Sequence, residues 1–286
     1  MKSSSRRDFL KTSGVIAAAA CAGATKLAAD PLRMPLGLQL YSVRELLPKD
    51  FDGTLHQLAA AGYKDVEAAG YYNKTAVEWK AAMDQAGLRC VSTHHPLPML
   101  KQKEDELIEY GKKIGLQYMV CSSPMHRDPA VKGPMTLDDW NWVSDEFNRI
   151  GAKVKSAGMQ FGYHNHMGEF DKENGVVFYD QLIKRTDPKL VALEMDCGWV
   201  VAAGRNPIEY LKVIPQRIQM LHVKCMSRGN DGNYHSVVMG RGYPDYHPIF
   251  ALASGLKHYF VEQEEFKGDP MMELGLDATF MKNFDV

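Results

Sequence analysis

Four times along the chain a helix-compatible stretch runs into glycine and a short apolar run follows. The junctions are Ala61-Gly62-Tyr63-Lys64-Asp65-Val66, Ala86-Gly87-Leu88-Arg89-Cys90-Val91, Ile114-Gly115-Leu116-Gln117-Tyr118-Met119 and Ala157-Gly158-Met159-Gln160-Phe161-Gly162. A glycine just past the last helical turn takes the left-handed conformation that ends it. Each junction therefore predicts a helix stop and a strand start. Ahead of the second, Thr75 and Glu78 have capping-box spacing, and Val77, Ala81 and the Met83-Asp84 pair suggest a one-sided apolar face. Strand and helix alternating in this way predict βαβ units and a parallel sheet. Eight strands are expected, over 36–40, 65–68, 89–94, 117–122, 160–166, 191–196, 218–224 and 259–264. One unit per strand, at about 25 to 40 residues each, gives the size of a single α/β domain, a (β/α)8 TIM barrel. The rival is an open doubly wound sheet, which normally carries a glycine-rich phosphate loop after its first strand. Gly37-Leu38-Gln39-Leu40-Tyr41 has none.

The first 29 residues stand apart. Basic Lys2, Arg6 and Arg7 precede a weakly apolar run from Val15 to Ala24, and small residues follow at Ala28 and Ala29. That order is a signal peptide's. Ser5-Arg6-Arg7-Asp8-Phe9-Leu10-Lys11 resembles the bacterial twin-arginine export signal, so residues 1–29 are expected to be removed and residues 30–286 to form the barrel in the periplasm. Cys21 would tie the chain to a membrane only if it were lipidated. Ala18 stands three residues before it, where a lipoprotein has a large aliphatic. The chain has 34 bases and 35 acids; removing the leader takes five bases and one acid and leaves a net charge of about −5. Such a charge speaks against a nucleic-acid partner. Four cysteines remain, Cys90, Cys121, Cys197 and Cys225, without CxxC spacing; they read as buried thiols. The sequence is silent on oligomeric state.

A barrel strand is buried on both sides, so polar residues along it need a reason. In this architecture chemistry collects where strands end. The ends give Glu67, then His94-His95, then His164-Asn165-His166, then Glu194 and Asp196, then His222 and Lys224, and last Glu262 and Glu264. Strand side chains alternate, so His222 shares a face with Lys224, and Glu262 with Glu264. The last four strands thus offer His, Asp, His and Glu toward one point. Two imidazoles and two carboxylates make a normal set of ligands for a divalent transition ion. Glu67, His94 and Trp199 are candidates for substrate contact; Trp199 reads equally as core. Lys224 reads either as a substrate contact or as the ion-pair partner of a neighbouring acid.

Leu38-Gln39-Leu40-Tyr41-Ser42-Val43-Arg44, Tyr163-His164-Asn165-His166-Met167-Gly168-Glu169-Phe170, Glu194-Met195-Asp196-Cys197-Gly198-Trp199, His222-Val223-Lys224 and Val261-Glu262-Gln263-Glu264 resemble, in that order, the sugar phosphate isomerase/epimerase family of xylose isomerase-like barrels. The resemblance spans about residues 35 to 265. It implies one divalent ion, manganese preferred over cobalt, magnesium or zinc, on His164, Asp196, His222 and Glu262, and a small-molecule sugar substrate. Two positions depart from the pattern: His164 stands where epimerases usually have Glu, and Cys225 where relatives commonly have Asp.

The chemistry expected is proton abstraction next to the carbonyl of a ketose or keto-sugar. Glu262 or His166 serves as base, Glu264 contacts substrate or tunes that base, and Lys224 steadies the developing charge. Returning the proton elsewhere gives isomerisation or epimerisation. Losing a β-oxygen makes a lyase or hydratase of 3-keto-glycosides, the alternative within the same chemistry. A non-catalytic periplasmic sugar-binding protein is the alternative of another class, though such proteins need two lobes and a hinge. A metal-dependent nuclease fits poorly with export and negative charge.

Overall fold

The protein is described here from a computed structural model, whose described residues are 32–285. The expectations for the leader, including Arg6, Arg7, Cys21 and the cut after Ala29, lie outside them. Eight parallel strands close into a barrel: β1 (Gly37–Gln39), β2 (Asp65–Ala68), β3 (Arg89–Pro96), β4 (Tyr118–Ser123), β5 (Gln160–His164), β6 (Val191–Asp196), β7 (Ile218–Val223) and β8 (His258–Val261). Each pairs with its neighbours in sequence, and β1 closes the ring on β8. Helices α1 (Phe51–Ala61), α2 (Ala76–Ala86), α3 (Leu97–Ile114), α4 (Leu137–Ser156), α5 (Phe178–Arg185), α6 (Cys197–Ala202), α7 (Pro207–Val213), α8 (His247–Leu252) and α9 (Pro270–Lys282) complete the α/β alternation. Among the described residues no helix is long and apolar enough to cross a membrane.

The helix stops fall where glycine was read. Gly87 and Gly115 have φ of 71° and 78°, each donating its N–H back to a carbonyl of the last turn. Thr75 and Glu78 form the expected capping box. The apolar face of α2 is not the expected one. Val77 is 77% exposed, while Ala76, Trp79, Ala82 and Met83 are buried. Trp79 sets the rotation: its ring lies 5.2 Å from Tyr71 and 5.5 Å from Phe51, and a large aromatic outweighs one valine.

Two apolar layers result. The main core lies between strands and helices, and a small separate cluster of Val91, Tyr118, Val120, Ala192, Met220 and Phe260 fills the lumen. Beyond it the lumen turns polar. β5, β7 and β8 end two, one and three residues sooner than expected; past the ends of β7 and β8, Lys224, Glu262 and Glu264 join one side-chain network. The sequence pattern also missed a hairpin after β7, Cys225–Arg228 paired with Tyr234–Val237. Among the described residues, Cys90, Cys121, Cys197 and Cys225 are free and buried.

One buried acid lies away from the lumen. Asp277 of α9 accepts the Met239 backbone N–H at 2.7 Å through one oxygen, while the other is buried without a donor. Burial, reinforced by Glu273, pushes its pKa up to about 7. A raised carboxyl contributes stability fully below its unfolded pKa of about 4, and that contribution is lost as pH climbs toward 7. Asp277→Asn is expected to abolish this loss. Urea unfolding at pH 5 and pH 8 should give a pH dependence shallower by about 1–3 kcal/mol than in the parent. An unchanged difference between the two pH values would mean that Asp277 is ionised throughout.

Candidate active site

The polar lumen has a lower and an upper layer. Below, Glu67 of β2 is fully buried and saturated. It accepts Gln39 Nε2 at 2.7 Å, Ser92 Oγ at 2.6 Å and His222 Nε2 at 2.7 Å. His94 Nε2 lies 3.0 Å from Glu67 and 2.6 Å from Glu194. Burial alone would raise the Glu67 carboxyl, but the imidazoles of His94 and His222 overcome it and hold Glu67 well below the usual carboxylate range. Glu194 goes the other way: burial and repulsion from Glu67 push it up to about 7. Burial opposes charge on His94 as well, yet the two acids raise it to about 9.

Above, four ligand-type atoms converge within 4.8 Å of one another, from His164, Asp196, His222 and Glu262. His164 Nε2 is 3.1 Å from His222 Nδ1 and 3.5 Å from Asp196 Oδ2. His222 Nδ1 is 2.9 Å from Glu262 Oε2 and 3.8 Å from Asp196 Oδ2. Bonds of about 2.1 Å around a tetrahedral ion put neighbouring ligand atoms roughly 3.4 Å apart, so these spacings fit. The chemistry of the donors fits too. His222 Nδ1 carries one proton at most, yet it faces another imidazole nitrogen and two carboxylate oxygens. Asp196 Oδ2 is buried without a hydrogen-bond donor and has an ion-pair contact with Lys224 Nζ at 3.1 Å. A cation among the four would satisfy all of them. His164 is neutral, as a ligand must be: burial, then the imidazoles of His222 and His166, drive its pKa well below the usual range. Burial would raise Glu262, but Lys224 and His222 keep it ionised.

Local sequence explains how these groups are held. Asp196 ends β6 and caps α6, its Oδ1 accepting the Trp199 N–H at 2.9 Å, which leaves Oδ2 for the cluster. Asn165 braces the ends of β5 and β6, bonding both the backbone N–H and the carbonyl of Asp196. Gly198 lets α6 approach Lys224: a Cβ there would lie 2.8 Å from the Lys224 carbonyl oxygen. The Tyr246 hydroxyl accepts the Lys224 N–H and donates to its carbonyl. Lys224 Nζ lies 2.9 Å from Glu262, 2.5 Å from Glu264 and 4.7 Å from the Trp199 ring centroid.

A cavity of about 370 Å³ opens over the cluster. His94, His164, His166, Glu262 and Glu264 line it, together with Tyr41, His95, Met99, Ser122 and Ser123. Of the residues read from sequence, Glu67 is saturated beneath the cluster, Lys224 is buried, and neither Lys224 nor Trp199 is among the residues that line the cavity. His166 has no hydrogen-bond partner among the described residues that would occupy its imidazole, and its ring rests against Trp199 and His164. Sequence reading passed over Gln39 and Ser92, which hold Glu67. A polar residue on an inward strand position was the available signal for both. Glu194 was read as a strand-end acid that holds structure or faces a helix; it meets His94 in the lumen instead, as its spacing of two from Asp196 already implied.

Several known proteins share this arrangement of chain. The inosose dehydratase of Clostridium beijerinckii is 24% identical over 272 residues, covering 82% of this chain and 85% of that one. A sugar phosphate isomerase/epimerase from Parabacteroides distasonis superposes with a TM-score of 0.72 at 27% identity, covering 86% and 96% of the two chains. A barrel protein solved with a zinc atom bound has the same fold at 14% identity and a TM-score of 0.66, covering 86% and 97%. Residues 3–23 match the twin-arginine translocation pathway signal sequence. Residues 55–277 match the xylose isomerase-like TIM barrel, and with its closed barrel of eight parallel strands the chain belongs to that family.

Proposed function

We propose that the chain is a divalent-metal-dependent isomerase or epimerase of a ketose or keto-sugar, exported by the twin-arginine route to the periplasm. The observation that carries this reading is the four-residue cluster at the floor of a cavity that is also lined by two groups able to move a proton, Glu264 after β8 and His166 after β5. His164, Asp196, His222 and Glu262 would hold the ion, manganese by preference. When bound, the ion supplies Lewis-acid polarisation of a carbonyl and its adjacent hydroxyl. The chain's own groups do the rest. One of Glu264 and His166 takes the carbon-bound proton, the electron pair moves into an enediolate, and a proton returns from the other side. Lys224, held by Tyr246, orients Glu264 and balances its charge. Glu67 binds the Nε2–H of His222, fixing the tautomer that leaves Nδ1 toward the cluster.

Elimination is the second reading. The dehydratase likeness favours it, as does His164 in place of the second carboxylate of epimerases. Metal-loaded protein incubated with keto-sugars in deuterated water separates the readings. A deuterated isomer or epimer supports the first, and an unsaturated or hydrated product with loss of a β-oxygen supports the second. Binding with neither exchange nor elimination would overturn both and leave a sugar-binding protein.

The carboxylate behind His222 has its own consequence. Glu67→Gln keeps the size and most hydrogen bonds of the side chain, so the barrel should fold. Without the charge on Nε2–H, metal affinity should fall about 10- to 100-fold, measured by competition with a chelator. Unchanged affinity would assign Glu67 to packing alone.

A further inference from the structure

We propose that the substrate has two linked sugar rings, the reacting ring over His164 and Glu262 and the second in a side cavity beside it; this rests on the keto-sugar reading above. The side cavity measures about 390 Å³ and shares two wall residues, Ser123 and His166, with the cavity over the cluster. The two spaces therefore meet at His166, whose imidazole has no hydrogen-bond partner among the described residues that would occupy it. Four segments build the side cavity: the loop after β4, the first turn of α4, the turn after β5 and the start of α5.

Its lining suits a sugar. Trp140 and Phe178 stack with centroids 6.0 Å apart and planes 18° from parallel, and Pro134 and Met135 add apolar surface. Such a wall takes the C–H face of a pyranose. Polar groups stand among it. Glu169 is 3% exposed, with one carboxylate oxygen receiving the Tyr163 hydroxyl at 2.5 Å. The Trp140 indole N–H is buried without an acceptor. Asp171 completes the rim. The carboxylates of Glu169 and Asp171 accept from ring hydroxyls, a match an aromatic aglycone would leave unused. His166, at the junction, would lie beside the oxygen linking the two rings.

Gly168 offers the test. It lines the side cavity, its backbone is outside the left-handed region, and a Cβ there would meet nothing within 4 Å. Gly168→Phe therefore adds a ring at the rim of the side cavity without backbone strain. The metal-loaded parent should prefer a keto-disaccharide over the matching keto-monosaccharide by about 100-fold in kcat/KM. The variant should reduce that preference at least about tenfold, mainly through KM. Calorimetric titration of the parent with unoxidised cellobiose and with glucose gives a reading independent of turnover and of the variant's folding; cellobiose should bind more tightly. Equal preference for one and two rings, a preference untouched by Gly168→Phe, or a stronger preference for an aryl keto-glucoside would overturn the proposal. If no keto-sugar is transformed while cellobiose still binds better through Gly168, the catalytic reading fails and the two-ring cleft stands.

Discussion

Asp196→Ala is expected to empty the proposed metal centre and reduce activity more than about 1,000-fold. Asp196 offers the one cluster oxygen that is buried without a hydrogen-bond donor, Oδ2, and it ties together His164 at 3.5 Å and His222 at 3.8 Å. Its other oxygen caps α6. The alanine variant loses both functions, and the lost cap costs about 1 kcal/mol by itself. Asp196→Asn separates them. An amide can keep the cap through its carbonyl oxygen, while its NH2 turned toward the cluster repels a cation. Both variants should therefore carry less than one-tenth of the parent's metal by elemental analysis, and only the alanine form should lose the cap's stability. Thermal unfolding gives an independent reading. A ligand that binds only the folded state stabilises it by about 2.7 kcal/mol at a hundred times Kd, so added metal should raise the parent's Tm and leave both variants where they were. Full metal content in Asp196→Ala would sink the assignment of the cluster.

The barrel was legible in the sequence because its helix stops are chemical events. Gly87 and Gly115 mark left-handed caps that few other residues adopt cheaply, and Thr75 with Glu78 marks a helix start by its own hydrogen bonds. The rotation of α2 was not legible. It depends on Trp79 finding Tyr71 and Phe51, contacts from outside the helix that no local period contains. The convergence of His164, Asp196, His222 and Glu262 could be read because a period of two in adjacent parallel strands places side chains on one face without knowledge of any loop. The height of each residue along the lumen could not be read, since it depends on the barrel's stagger. That is why Glu67, read as a substrate contact, lies beneath the cluster with both oxygens occupied, and why Lys224 is buried and does not line the cavity. The side cavity was invisible for a similar reason. Trp140 and Phe178 come from different helices and meet only after the chain has folded.

Glu262 and Glu264 extend this contrast to catalysis, and their two amide variants should part company. Glu262 is 6% exposed and its Oε2 lies 2.9 Å from His222 Nδ1 in the cluster. Glu264 also lines the cavity, but its side chain is 28% exposed and contacts Lys224 rather than the cluster. A carboxylate on a cation is held ionised and makes a poor base, whereas a carboxylate one residue-pair further out can exchange protons with substrate. Glu262→Gln is therefore expected to lose metal and turnover together, with metal affinity at least about 100-fold lower. Glu264→Gln should keep about one metal per chain, bind substrate within a few-fold of the parent and lose about 100- to 10,000-fold in kcat, the usual contribution of a positioned acid-base group. Metal content, KM and kcat measured on both variants decide the matter. A metal-free Glu264→Gln beside a metal-replete Glu262→Gln would exchange the two roles. Full turnover by Glu264→Gln would move proton transfer to His166, which faces the same space from β5 and whose replacement by alanine would then carry the loss in kcat.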